Sequence, residues 1–338
     1  MKKAEVFLEY QNYIDHTPHS NEQAYASATS ADQVTMNHWG ELWLSQIKAN
    51  KEHFGSFANL GVGQLFNAKR YQPCILAGSG PSLKNSIEGL KNRGEITLVS
   101  CLHNFHFMAD NEIKVDYFMT LDAGTLPISE VAEGGKLSPD EYWELTKDQT
   151  LVAFIGTNPE LLEKWQGKIY FFNAPVPDEK HMAKVDEIEE FRSFFSSGGN
   201  VLGSCLYFAK AVLGCGTVAF TGADLSFGYE RKFHSWDSQY DKDMGITVPM
   251  TDVYGIPVKS WPSYQNFKKF FDFIAQTLPG RGMFFNCSEG GCLGSYREGN
   301  IRAIIQMDLK EFIAQYHMNE SIRETMENPA TNTKRVLF

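Results

Sequence analysis

Pro73-Cys74-Ile75-Leu76-Ala77-Gly78-Ser79-Gly80-Pro81-Ser82-Leu83-Lys84-Asn85-Ser86-Ile87 is the stretch on which the reading of the fold turns. The apolar run Cys74 to Ala77 predicts a fully buried strand, bounded by Pro73 in front and by glycine behind. Gly78 and Gly80 carry no Cβ, so the chain can turn sharply and approach other backbone closely. Pro81 suits the first position of a helix, where its missing N–H costs nothing, and Leu83, Ile87 and Leu90 supply a buried stripe. A strand, a glycine turn and a helix start together make an anion site, because free N–H groups and the positive end of the helix dipole face the turn. The expected ligand is the phosphate of a nucleotide, held by Gly78, Ser79, Gly80, Pro81 and Ser82. The alternative is a strand-to-helix turn with no ligand. Leu83 stands where the dinucleotide fingerprint has its third glycine, and no Gly-Lys-Ser/Thr follows as in the Walker pattern.

Outward from this stretch, short apolar runs alternate with helical patterns. Strands are predicted at Ile96–Ser100, Val115–Leu121, Leu151–Ile155, Ile169–Phe172, Thr217–Thr221 and Gly282–Phe285. Helices are predicted at Asn37–Phe54, His103–Ala109, Pro159–Trp165, Asn200–Leu213, Ser263–Leu278 and from Asn300 to His317. The alternation predicts an α/β protein, a Rossmann-like and mostly parallel sheet with helices on both faces. Residues 1–55, with a helix near Ala4–Ile14, form an N-terminal helical extension; 56–320 form the Rossmann-like nucleotide-sugar-binding domain; 321–338 form a flexible tail. Gly55–Arg70 reads as a loose connection. Ser226–Pro262 is a long polar excursion, of the kind that is functional or mobile inside a compact domain.

With 338 residues, 31 Lys and Arg against 41 Asp and Glu, the formal charge is −10. That balance argues against nucleic acid or an anionic membrane as the main partner. Glu5 and Glu9 interrupt any signal-peptide core, and no apolar run has the length of a membrane span. Four of the six cysteines, Cys74, Cys101, Cys205 and Cys215, sit in apolar segments; Cys287 and Cys292 lack a second pair at zinc spacing. The expectation is a cytoplasmic, reduced chain with no metal-ligating set.

Polar groups recur at predicted strand ends, where such sheets bind ligands. They are Ser79 and Ser82, then Asn104, Asp122, Asp224, and finally Asn286, Ser288 and Glu289. Each alone can cap a helix or satisfy a loop amide; their recurrence at one end of the sheet is what points to a site. His234, with Asp237 nearby in sequence, is the candidate base, since an imidazole titrates near neutrality. The alternative for His234 is an exposed loop histidine. His103 and His106 read as core or rim residues.

Gly78-Ser-Gly-Pro-Ser-Leu83 resembles the Gly-x-Gly-Pro-Ser-Leu signature of the motility-associated-factor (Maf) glycosyltransferases. It is also similar to the motifs of bacterial CMP-dependent sialyltransferases and of 6-hydroxymethylpterin diphosphokinase-like proteins. Gly198-Gly199-Asn200, Leu213-Gly214-Cys215 and Thr221-Gly222-Ala223-Asp224-Leu225 resemble a second Maf signature, and Asn286-Cys-Ser-Glu289-Gly290-Gly291 resembles a late element. Val115-Asp116-Tyr117 is similar to the Pro-Asp-Tyr step, with valine in place of proline.

The resemblance implies transfer of a sialic-acid-like sugar from a CMP donor to a hydroxyl on a protein or glycan acceptor. It further implies His234 as base, with Asp224 beside it in the catalytic set. Asn104, Asp122, Gly199, Asn200 and Glu289 would lie near the nucleotide. No metal is required by that scheme. The diphosphokinase relatives imply instead diphosphate transfer from ATP to a pterin alcohol, in which Mg²⁺ would take part. A third alternative is a nucleotide-binding protein without catalysis. The oligomeric state is left open.

Overall fold

The computed structural model describes residues 22–174, 176, 178–191, 193–195, 198–228, 232–236, 245–277, 283–294 and 304–317. Its centre is a single eight-stranded sheet in which every pairing is parallel. The strands are β1 (Pro73–Ala77), β2 (Thr97–Cys101), β3 (Tyr117–Thr120), β4 (Thr150–Phe154), β5 (Lys168–Phe172) and β6 (Thr217–Thr221), with β9 (Phe284–Asn286) and β10 (Ile304–Gln306) at one edge. A separate antiparallel hairpin pairs β7 (Val248–Thr251) with β8 (Pro257–Ser260).

All five residues of β1 are buried, as are all five of β2. That is the pattern of a parallel sheet covered on both faces, where strands read as continuous apolar runs. The order is β10-β9-β6-β1-β2-β3-β4-β5. The sheet therefore grows in one direction from β1 to β5, then crosses back to place β6 on the other side of β1. The crevice beyond the carboxyl ends of β1 and β6 is the topological switch point, where open α/β sheets bind their ligands.

The strand-to-helix turn after β1 is a six-residue 3₁₀ segment, Pro81–Ser86, that passes into the short α-helix Ile87–Lys91. Leu83 and Leu90 are fully buried beneath it. The helix predicted at Asn200–Leu213 is capped by Asn200, whose Oδ1 accepts the N–H of Gly203 at 2.8 Å. It runs as α-helix over Val201–Tyr207 and widens to a π turn over Phe208–Val212.

Several expectations change. The N-terminal helix is longer than its apolar spacing indicates, Glu22–Phe54 rather than Asn37–Phe54. Its early turns carry Ala24, Ala26, Ala28 and Ala31, residues that favour helix without an apolar stripe. This helix is knit into the α/β body. Ile47 lies in the common core, Gln46 Nε2 donates to Ala123 O at 2.8 Å, and Asn50 Nδ2 donates to Ile155 O and Thr157 O. Residues 304–306, expected inside a helix, form β10, and the helix occupies 309–317. The polar excursion Ser226–Pro262 contains the β7–β8 hairpin, and Gly55–Arg70 contains two 3₁₀ turns, Phe57–Leu60 and Val62–Leu65. Helices at Leu126–Glu130, Pro139–Leu145 and Glu179–Ile188 were not foreseen. The expected helix at Ala4–Ile14 and the tail 321–338 lie outside the described residues. Among the described residues, no helix is long and apolar enough to cross a membrane.

Candidate functional site

The site begins where the ends of β1 and β6 meet. Gly78 N–H donates to Thr221 O at 2.9 Å, and Gly80 N–H to Gly222 O at 2.8 Å. The two glycine loops touch backbone to backbone: a Cβ on Gly78 would lie 2.5 Å from Gly222 O. Gly222 itself takes φ +60°, a left-handed conformation that glycine adopts without steric cost.

Asp224 then turns its carboxylate into the start of the Pro81–Ser86 segment. Oδ2 accepts from Ser82 Oγ at 2.7 Å and from Ser82 N–H at 3.2 Å. A Cβ on Gly80 would sit 2.8 Å from the Asp224 Cγ, so only glycine leaves room for this contact.

This geometry revises the expected phosphate cradle. Besides the bonds of Gly78, Gly80 and Ser82, Leu83 N–H donates to Gly80 O at 3.0 Å and Lys84 N–H to Ser235 Oγ at 3.2 Å. Of the N–H groups expected to face a phosphate, those of Gly78, Gly80 and Ser82 are bonded within the chain, and Asp224 supplies the anion that a helix start attracts. Ser79 and Gly80 remain half-exposed on the rim, with the side chain of Lys84 in solvent beside them. Asp224 is 6% exposed, and burial raises its carboxyl to about 6 against the lowering effect of the Ser82 bonds. It is the internal anion of the turn, not an open catalytic wall.

Asn104 stands behind the turn. Fully buried, it donates through Nδ2 to Ala77 O, Gly78 O and Ser100 Oγ, each at 3.0–3.1 Å. It therefore fixes the carboxyl end of β1 against β2. Asp122, after β3, keeps contact with solvent yet is closely surrounded by protein; desolvation raises its carboxyl, with His103 opposing.

His234 departs from expectation in a specific way. It is 2% exposed, lies flat on Trp236 with ring centroids 4.7 Å apart, and meets His103 edge-on at 4.5 Å. Burial, with smaller contributions from His103 and His106, lowers its pKa to about 2. The imidazole is a neutral, enclosed group rather than a solvent-facing base. Its segment is tied to the β1 turn by Ser235, whose Oγ donates to Gly80 O at 2.7 Å. Asp237 lies outside the described residues.

The remaining expected residues make other contacts. Asn200 is committed to its cap, and Gly199 lies against Phe267. Glu289 is exposed, with its carboxyl raised by desolvation and by Asp308. The loop it belongs to nevertheless braces the site from behind. Ser288 Oγ accepts Ala223 N–H at 3.0 Å, Cys292 N–H donates to Asp224 O at 2.6 Å, and Asn286 holds the loop through Leu293 O and Gln306. Among the described residues, no group of three His, Cys, Asp or Glu side chains is arranged to hold a metal ion.

The clamp from the N-terminal helix, Gln46 on Ala123 O, fixes the backbone just after Asp122 and has no local signal in the sequence. His103 is likewise unmarked in the sequence, since its neighbours Glu130 and Glu133 are remote and carry no motif.

Fold and site together define a Rossmann-like α/β protein with a polar switch point between β1 and β6. The family model for 6-hydroxymethylpterin diphosphokinase MptE-like proteins matches residues 48–230, from the end of the N-terminal helix past Asp224, and the chain belongs to that family. Among solved structures it is similar to the Maf glycosyltransferase from Magnetospirillum magneticum AMB-1, with a TM-score of 0.52 and 16% sequence identity over 82% of this chain. The match spans 42% of that larger chain and, at this identity, shows a shared fold. No curated protein matches.

Proposed function

We propose that the chain is a nucleotide-dependent transferase, with the donor's phosphate at the rim of the β1/β6 switch point. The observation that carries this reading is the interlocked pair of glycine loops, Gly78–Gly80 and Gly222, locked by Asp224 on Ser82 and braced by Asn104. So rigid and polar a turn at a switch point is what ligand binding in this architecture uses. The half-exposed Ser79 hydroxyl and the exposed Lys84 supply a donor and a positive charge for a phosphate at the rim. Asp122, solvent-accessible at the next strand end but one, would accept a hydrogen bond from a ribose or sugar hydroxyl.

The group transferred, in this proposal, is a sialic-acid-like sugar carried by CMP, and the acceptor is a hydroxyl. The leaving CMP phosphate is then stabilised electrostatically at the rim. A second reading, diphosphate transfer from ATP with Mg²⁺ to a pterin alcohol, draws support from the family match. Nucleotide release separates them. Incubation with CMP-N-acetylneuraminate is expected to liberate CMP without added magnesium. AMP released from ATP only when Mg²⁺ and hydroxymethyl-dihydropterin are both present would favour the second reading. Absence of both products would overturn both readings.

A further inference from the structure

His103, one residue before Asn104 at the carboxyl end of β2, occupies a position the resemblance does not assign. Its side chain is 20% exposed, whereas His106 and His234 are 1% and 2% exposed as residues. Its Nε2 is enclosed and lies 3.7 Å from Glu130 Oε1 and 3.9 Å from Glu133 Oε2. Neither distance is a hydrogen bond, but two carboxylate oxygens facing Nε2 favour the neutral tautomer that carries its proton there. Nδ1 is then left with its lone pair. The ring is held on its other side by His234 at 4.5 Å and Trp236 at 5.4 Å between ring centroids. Asp122 lies close enough that His103 acts on its carboxyl. The ring connects to the turn through His234, whose neighbour Ser235 donates from Oγ to Gly80 O at 2.7 Å.

We infer that His103, oriented by Glu130 and Glu133 and backed by the His234–Trp236 stack, is the general base of the transfer, a role expected of His234 from resemblance. The inference rests on the proposed function. In the step, His103 Nδ1 takes the proton of the acceptor hydroxyl as its oxygen bonds to the anomeric carbon of the sugar. The bond from that carbon to the phosphate oxygen breaks, and its electron pair leaves with CMP. The imidazolium afterwards gives its proton to water. His234 is a packing partner that keeps the ring in place.

The test compares wild type with His103→Gln and His103→Ala, using CMP-N-acetylneuraminate and water or lactose as acceptor. His103→Gln is expected to reduce CMP release by about 100-fold or more, while thermal stability and its shift by CMP stay near wild type. Added imidazole is expected to restore part of the His103→Ala rate. Modification by diethyl pyrocarbonate, mapped by mass spectrometry, is expected at His103 and not at His106 or His234, with CMP protecting. An active wild type with an unimpaired His103→Gln variant overturns the inference and leaves the transferase reading standing. A wild type that binds and turns over no donor overturns the reading itself. A variant that loses CMP binding together with turnover also counts against the base, since it shows a binding role instead.

Discussion

Replacing Gly222 by alanine is expected to destabilise the protein by about 3 kcal/mol or more, an unusually large effect for adding one methyl group. Two costs combine. The residue holds φ +60°, where an L side chain costs about 1–2 kcal/mol. The new Cβ would also press on Gly78 O and lie 2.9 Å from Leu83 Cβ, and overpacking of this kind costs about 1–3 kcal/mol. Neither neighbour can yield easily: Gly78 is bonded through its own N–H to Thr221 O and through its carbonyl to Asn104, and Leu83 is fully buried. Urea unfolding measures the loss, and Gly290→Ala provides the control. No atom lies within 4 Å of a Cβ placed there, so that variant should stay within about 0.5 kcal/mol of wild type. Equal stability of Gly222→Ala and wild type would mean that the two loops are not interlocked as described.

The second large effect belongs to Asp224. Its carboxyl is raised from an ordinary 3.8 to about 6, chiefly by burial. The folded state therefore holds the proton to higher pH than the unfolded chain does. Stability linked to this group is fully present below about pH 4 and is lost as pH rises through about 6. A shift of roughly two pH units corresponds to about 3 kcal/mol. The unfolding free energy of wild type minus that of Asp224→Asn should fall by that order between pH 4 and pH 7.5. The variant keeps an oxygen for Ser82 but carries no charge to bury. A difference that is flat with pH, or that rises, would contradict the placement of Asp224 in the turn.

The two cases show where the sequence is readable. The Cys74–Ala77 run, the Gly-x-Gly-Pro step and the burial of Leu83 are local features, and each signals its structure within a few residues. The parallel α/β architecture follows from the same kind of signal repeated along the chain. The partnership of Ser82 with Asp224 does not, because it joins residues 142 positions apart and depends on β6 lying beside β1. No periodicity encodes strand order. The bonds that occupy the turn's N–H groups are hidden for the same reason.

His234 illustrates a different limit. A polar neighbourhood in sequence suggested a loop histidine available for chemistry, yet Phe233, Trp236, His103 and His106 close around it. Burial of an aromatic-rich loop is a tertiary outcome. Elements too short to show a period, such as the three residues of β10, were absorbed into the neighbouring helix. The first turns of the N-terminal helix escaped because propensity, not an apolar stripe, marks them.

Binding of a nucleotide at the β1/β6 switch point is measured by thermal unfolding with CMP, CDP, UDP, GDP and ATP, each with and without Mg²⁺. A ligand that binds the folded state raises its apparent stability, by about 2.7 kcal/mol at one hundred times its Kd. A concentration-dependent rise is expected with CMP, independent of magnesium and absent in Gly80→Val, whose side chain would displace Asp224 from Ser82. A rise with Mg²⁺-ATP alone would transfer the assignment to diphosphate transfer. No rise with any nucleotide would contradict the claim and leave the Gly78–Ser82 turn as a structural joint between two strands.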